Sequence, residues 1–191
     1  NKGTAVAGSV IVIVNRTEVN AALDGASDAG YLKFKGLGAG EVIVDARNDS
    51  HYLQVAGAAA FGSSVGVGAA IITAVMQSLV GTSMNFVRAV GGNDVGGLAV
   101  TAVNSGRIES VAFGAAASVG TSTKGAGAGM VAINHLRVST TVDMNDSWVH
   151  ADGTRAFLTA ENTTYIGASA GGGAVSTGKA AVGVAVAVNI V

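Results

Sequence analysis

The chain has 191 residues and a formal net charge of −1, so it lacks the basic excess that attracts nucleic acid or an anionic membrane surface. It is 49% hydrophobic but only 12% charged, whereas ordinary domains carry about 25% charged residues. It contains 29 glycines, no proline and no cysteine, which excludes disulfides and thiolate metal sites. Without proline, every residue can donate a backbone hydrogen bond, which suits strands paired on both edges.

The first third of the chain predicts short strands separated by polar turns. Residues 9–14 are a β-branched run typical of a strand, and residues 24–30 form a loop rich in Asp, Gly and Ser. Residues 31–35 alternate apolar and charged side chains with the period of two that a half-exposed strand shows. Residues 41–45 predict another strand, followed by a polar corner at 47–51.

The middle of the chain contains a long segment, residues 52–87, without Asp, Glu, Lys or Arg. An apolar run of this length is a candidate transmembrane helix. Its polar side chains, such as Gln54 and Gln77, argue against a membrane span, and so do Lys124 and Lys179 in the repeat partners of this segment. Residues 71–80 fit either a buried strand or a short helix, because periodicity does not separate the two over so short a run.

The same motifs recur along the whole chain. Residues 44–48, 100–104 and 158–162 share a motif that ends in asparagine, with spacings of 104 − 48 = 56 and 162 − 104 = 58 residues. A second motif, residues 179–189, repeats at 124–134. The ending of that motif also matches residues 5–15, and a degenerate copy fills 66–76. The chain is therefore a tandem array with a period of about 55–60 residues.

This array predicts an all-β fold, a parallel β-helix or solenoid built of repeats of about 55–60 residues. We expect one segment spanning 1–191, with repeat units at approximately 1–40, 41–97, 98–155 and 156–191. Dividing a repeat of about 57 residues into three coils gives about 19 residues per coil, a usual size for such solenoids. Asn48, Asn104 and Asn162 then lie at equivalent corners. Because the chain begins without Met and ends within an apolar strand pattern, we expect a fragment of a longer chain.

The two motifs together resemble a known family. The motif (Val/Leu)-(Asp/Thr)-Ala-x-Asn, paired with Gly-Lys-Ala-Ala-Val-Gly-Val-Ala-Val-Ala-Val-Asn at 178–189, is similar to the repeats of large bacterial filamentous haemagglutinins and leukotoxin-type adhesins. The resemblance covers most of the chain, most strongly 96–134 and 155–191. It implies a right-handed β-helix, exported by an autotransporter or two-partner route to the cell surface or medium, with any outer-membrane anchor outside this segment. It carries over no catalytic residue.

Candidate metal and nucleotide sites are weak. None of the histidines, His51, His135 and His150, lies in a metal-binding spacing. The oxygen ligands at 143–146 lack the glycine and distal glutamate of an EF-hand, so a solvated turn is the plainer interpretation. The glycine-rich residues 125–129 resemble a phosphate loop only superficially, and Lys179 is followed by alanine rather than Ser or Thr. We therefore predict no metal and no cofactor.

Parallel β-helices include enzymes that cleave polysaccharides, and these need clustered carboxylates. The only dense group is Glu41, Asp45, Arg47 and Asp49, which the alternation of a strand places on one side. The aligned copies replace Asp45 with threonine, which favours an ordinary charged corner. We therefore predict no enzyme and keep a carbohydrate-active enzyme as the alternative.

Exposed aromatic and basic side chains are the candidate surface contacts. One alternating set is Tyr31, Lys33 and Lys35, and another is Trp148 and His150. The leading hypothesis is a structural stalk or passenger segment of an adhesin that contacts a glycan or protein receptor on a host or bacterial surface. A third hypothesis is a fibril-forming solenoid, since unpaired strand edges favour end-to-end self-association.

Overall fold

The computed structural model describes residues 3–26, 30–34, 40–89, 95–120, 124–149 and 151–191. Every regular element in these ranges is a β-strand, so the prediction of an all-β fold is confirmed. The strands are β1(Thr4–Asp24), β2(Leu32–Phe34), β3(Glu41–Gly62), β4(Val65–Asn85), β5(Val87–Ala89), β6(Val95–Ser118), β7(Gly125–Asn145), β8(Ala151–Ser176) and β9(Ala181–Ile190).

The strands form two large parallel sheets and one small one. The first sheet has the order β1-β4-β7-β9, the second β3-β6-β8, and the small sheet β2-β5. Because the chain passes alternately from one large sheet to the other, each strand pairs with the strand of the next passage. All pairings are parallel, which is consistent with a parallel β-helix.

The register brings equivalent motifs side by side. Asn48 is paired with Asn104, and Asn104 with Asn162, so the expected alignment of these three residues is confirmed. Asn134 is likewise paired with the asparagine at position 189. The expected equivalence of Asn15 with Asn134 is wrong by two residues, because the row of Asn134 continues through Ala74 to Ile13.

The division of each repeat into three short coils is wrong. The strands of the two large sheets are mostly 21 to 26 residues long. The expected polar corner at 47–51 lies inside β3, and Asn104, expected at an equivalent corner, lies inside β6. Alternation within the strand directs Arg47 and Asp49 to solvent and Asn48 into the interior, so this segment needs no turn. The sequence pattern of residues 71–80 allowed either a strand or a short helix. In the structure these residues belong to β4 and form a strand.

The inward faces of the two large sheets pack against each other and form an interior with two different ends. The alanine end lies between the first halves of the first-sheet strands and the last halves of the second-sheet strands. Its buried residues are Ala56, Ala58, Ala70, Ile72, Ala112, Ala116, Ala126, Ala128, Met130 and Ala132. The opposite end, which we call the leucine end, contains Val42, Val44, Met84, Val87, Leu98 and Val100.

Columns of amides, buried at Asn48, Asn104 and Asn134, lie between these two ends. The Nδ2 atom of Asn48 donates to Oδ1 of Asn104 at 2.8 Å, and Asn104 donates to Asn162 at 3.3 Å. The hydroxyl of Ser78, from the opposite sheet, donates to Asn104 at 2.9 Å. These bonds satisfy polar groups that are costly to bury unpaired, and they form only in this register.

Candidate functional site

The small sheet gathers basic and aromatic side chains at one edge of the molecule. Lys33 of β2 is paired with Arg88 of β5, and Arg88 forms an isolated parallel bridge with Trp148. Residues from three successive layers of the chain therefore stand in one row. We call Tyr31, Lys33, Arg88 and Trp148 the Arg88 patch.

A recurring turn after the first-sheet strands positions this patch. β4 ends at Asn85 and β7 at Asn145, and the residues that follow, Phe86 and Asp146, have positive φ angles of 51° and 44°. The side chain of Asn145 donates to that of Asn85 at 3.0 Å, and Asn85 donates to Asp24 at 2.7 Å. This exposed column of hydrogen bonds aligns the turns of three layers.

Ser147 fixes Trp148 against β5. The Ser147 hydroxyl donates to the carbonyl of Met84 at 3.1 Å and accepts from the backbone N–H of Val87 at 3.1 Å. The backbone N–H of Trp148 then donates to the carbonyl of Val87 at 2.7 Å. Trp148 is thus held by its backbone while the residue remains 59% exposed.

The patch is cationic and aromatic. The guanidinium carbon of Arg88 lies 3.5 Å from the centroid of the Tyr31 ring, a cation–π contact, and Tyr31 packs edge-on against Phe86 at 6.0 Å. Lys33 and Arg88 are exposed, and neither forms an ion pair with a carboxylate among the residues that the structure describes. Two positive charges next to an exposed indole can bind an anion attached to a flat apolar surface.

The structure joins the two predicted contact sets. Tyr31 and Lys33 come from one set and Trp148 from the other, while Lys35 and His150 lie outside the described residues. Sequence reasoning missed Arg88, which connects the two sets. The available signal was its distance of about one repeat from both Lys33 and Trp148.

A second polar surface lies on the outer face of the second sheet. His51, Arg107 and Tyr165 form one row across β3, β6 and β8, beside an open groove of about 960 Å³ that includes solvent. The Arg107 guanidinium lies 5.0 Å from the Tyr165 ring and is paired with Glu109, and this hydrogen bond lowers the pKa of Glu109. Because its arginine is already neutralised, this groove offers less to an anion than the Arg88 patch.

The acidic group of the alternative enzyme hypothesis lies on one outward face of β3, as the alternation predicts. Asp45 accepts hydrogen bonds from the Thr101 hydroxyl and from Arg47, and these two bonds, in that order, lower the pKa of Asp45. Asp49 accepts a separate hydrogen bond from Ser105 at 3.0 Å. A carboxyl that donates a proton in catalysis needs a raised pKa, so Asp45 is suited to an ion pair rather than to that role.

Among the described residues, no group of three or more His, Cys, Asp or Glu side chains is placed to hold a metal ion. In the same part of the chain, no helix has the length and hydrophobicity needed to span a membrane. Comparison of the chain with protein-family models, with curated proteins and with solved structures found no match.

Proposed function

We propose that the chain is a stalk or passenger segment of a bacterial adhesin, displayed at the cell surface or secreted, and built as a right-handed parallel β-helix of repeats of about 55–60 residues. The observation that carries this proposal is the column of hydrogen-bonded asparagines. Its members are separated by 56 and 58 residues, so each repeat adds one layer to the stack. With layers about 4.8 Å apart, repetition extends such a stack without a new fold.

The Arg88 patch is the surface with which this segment contacts a receptor. An exposed indole can lie against the apolar face of a sugar ring, while Lys33 and Arg88 pair with a carboxylate or sulfate. The receptor is therefore a surface glycan that carries acidic groups. No membrane span and no nucleic acid take part in this contact.

The test measures binding of the chain to immobilised acidic and neutral glycans. Arg88→Ala with Trp148→Ala should weaken binding to acidic glycans at least about tenfold, because residues at the centre of a contact contribute about 2 kcal/mol or more. The matched control is Arg16→Ala, an exposed arginine that pairs with Glu18 far from the patch. The proposal would be contradicted if the wild-type chain bound none of the glycans. It would also be contradicted if the patch variant and the Arg16→Ala control lost the same amount of binding.

A carbohydrate-active enzyme centred on Glu41, Asp45, Arg47 and Asp49 is the alternative function. Asp45 already accepts hydrogen bonds from Thr101 and Arg47 in a paired surface network, and this places the alternative second. Release of reducing ends or unsaturated sugars from acidic polysaccharides, abolished by Asp45→Asn and not by Asn20→Ala, would favour the enzyme over the stalk.

A further inference from the structure

The outer face of the first sheet is aliphatic over the first half of its strands. Outward positions 6, 8, 10, 12 and 14 of β1, with their register partners in β4, β7 and β9, form a regular array. Val and Ile fill most of the array, Gly and Ala most of the rest, and only Thr73 and His135 are polar. We call this array the valine face.

The interior beneath the valine face contains the smaller side chains. Ala70, Ala74 and Ala132 are fully buried, whereas Val12 and Val184 are 63% and 56% exposed on the other side of the same sheet. The alternation therefore buries alanine and leaves valine in water. This is the reverse of the usual preference of these side chains, since burial of apolar area favours the larger one.

The spacing of the sheets explains this inversion. A Cβ atom added to Gly66 would lie 2.4 Å from the carbonyl oxygen of Ala117, and one added to Gly68 would lie 2.6 Å from that of Ala115. The two backbones are thus almost in contact. A larger side chain does not fit beside Gly66 and Gly68, whereas Ile72 and Met130 are buried further along the same interior. The outward valines lie on the other side of the sheet, so the core of a single chain does not cover them.

The valine face is large enough for a specific interface. Five rows spaced by about 6.8 Å and four strands spaced by about 4.8 Å cover about 30 by 19 Å once side-chain width is included. This corresponds to about 570 Å² per face, at the upper end for the largest apolar patch of a monomer. Two such faces bury about 1,100 Å² together, which exceeds the approximate minimum for a biological interface.

We propose that the valine face is covered by the valine face of a second copy of this chain, and that the two first sheets pack face to face. A flat, uncharged lattice of β-branched side chains is complementary to itself, and aligned sheets interdigitate at about 10 Å. A twofold axis through the array makes the contact closed and symmetric. The array contains no Trp, Tyr, Lys or Arg, the side chains that hold proteins at a lipid surface. This pairing is independent of the receptor proposed above and differs from end-to-end stacking, which adds copies without limit.

The test is sedimentation velocity of the chain over a concentration series. Wild type should form a closed dimer, and Val12→Lys with Val184→Lys should weaken dimerisation at least about tenfold, because the interface would bury unpaired charges. The matched control is Val55→Lys with Val175→Lys, at 51% and 65% exposed positions on the outer face of the second sheet, which should dimerise as wild type does. Circular dichroism and thermal unfolding establish that both variants fold.

A disulfide test covers the case in which the lysine variant does not fold. The chain has no cysteine, so Ile71→Cys introduces a single thiol near the centre of the valine face. Oxidation should cross-link Ile71→Cys into dimers and leave the second-sheet control Val111→Cys monomeric. The proposal is overturned by a monomeric wild type, by indefinite elongation, by equal dimerisation of the valine-face and control variants, or by equal cross-linking of both cysteine variants. It is also overturned if neutral lipid vesicles bind the chain and compete with its dimer.

Discussion

The two ends of the interior use the same backbone arrangement with side chains of different size. At the alanine end the sheets approach until backbone atoms almost touch, and the large side chains Ile72 and Met130 are the exceptions. At the leucine end, Leu98, Val100 and Met84 fill the interior, and the outward face of β3 carries Asp45 and Arg47.

This difference shows that the size of the interior side chains is linked to the polarity of the outer face. Where Val, Leu and Met are buried, the outward positions can be charged, and the face is an ordinary solvated surface. Where Ala and Gly make up most of the interior, with Ile72 and Met130 as the exceptions, the valines of the alternating pattern are directed outward. The alanine end therefore combines closely spaced sheets with an apolar outer face on the first sheet, and the leucine end combines larger buried side chains with charged outward positions on β3.

Adding one methyl group inside the alanine end tests most directly whether the two sheets are closely packed there. Gly66→Ala should destabilise the chain by about 3 kcal/mol, because its Cβ would meet a backbone oxygen that has no side-chain freedom with which to move away. Gly129→Ala, outward in the same sheet with nothing within 4 Å, should instead stabilise it by about 0.5 kcal/mol through the entropy of the unfolded chain. Urea unfolding measures both changes. Equal effects at the two glycines would mean that the sheets are not in close contact.

Removing one amide between the two ends has the next largest expected effect. Asn104→Ala deprives the Asn48 amide and the Ser78 hydroxyl of their acceptor in a buried setting, so we expect a loss of about 2 kcal/mol. Asn20→Ala removes an exposed side chain whose hydrogen bond, within the described part of the chain, goes to Glu18, and it should change stability by less than about 0.5 kcal/mol. Thermal unfolding compares the two variants. Similar losses would show that the buried column does not stabilise the junction between the ends.

The asparagine column was predictable from the sequence because the period of the repeat reports the register directly. Spacings of 56 and 58 residues place Asn48, Asn104 and Asn162 in one row whatever the shape of each layer. The lengths of the strands were not predictable in this way. A run of polar residues such as 47–51 is typical of a turn. The structure was needed to show that Asn48 faces inward and donates to Ser78 of the opposite sheet.

The contact surfaces depended on information that a single period does not contain. Lys33, Arg88 and Trp148 are spaced by about one repeat, 88 − 33 = 55 and 148 − 88 = 60 residues, but this spacing alone does not show that their side chains are exposed together. The similar turns after β4 and β7 place Arg88 and Trp148 in one row. The valine face was hidden for another reason. In residues 181–188 valine alternates with alanine or glycine, and since all of these are apolar, the pattern does not indicate which set faces inward.

The smallest effect concerns the charged outer face of the leucine end. The Thr101 hydroxyl contributes most to holding the pKa of Asp45 below its ordinary value of 3.8, so Thr101→Val should raise that pKa toward 3.8. A carboxyl whose pKa is lowered by folding stabilises the fold above its unfolded pKa, and this contribution is lost as the pH falls through its folded pKa. Thr101→Val should therefore lose less stability than wild type on acidification below about pH 4.

An NMR titration of the Asp45 carboxyl measures this shift, with Thr159→Val as the control. Thr159 lies in the same row but one strand further from Asp45, so its removal should leave the titration of Asp45 unchanged. If Thr101→Val left the pKa of Asp45 unchanged, the hydrogen bond across the outer face would not form in solution. The outer face of the leucine end would then carry charged side chains that are not hydrogen-bonded to one another. Its contrast with the valine face would depend on amino-acid composition alone.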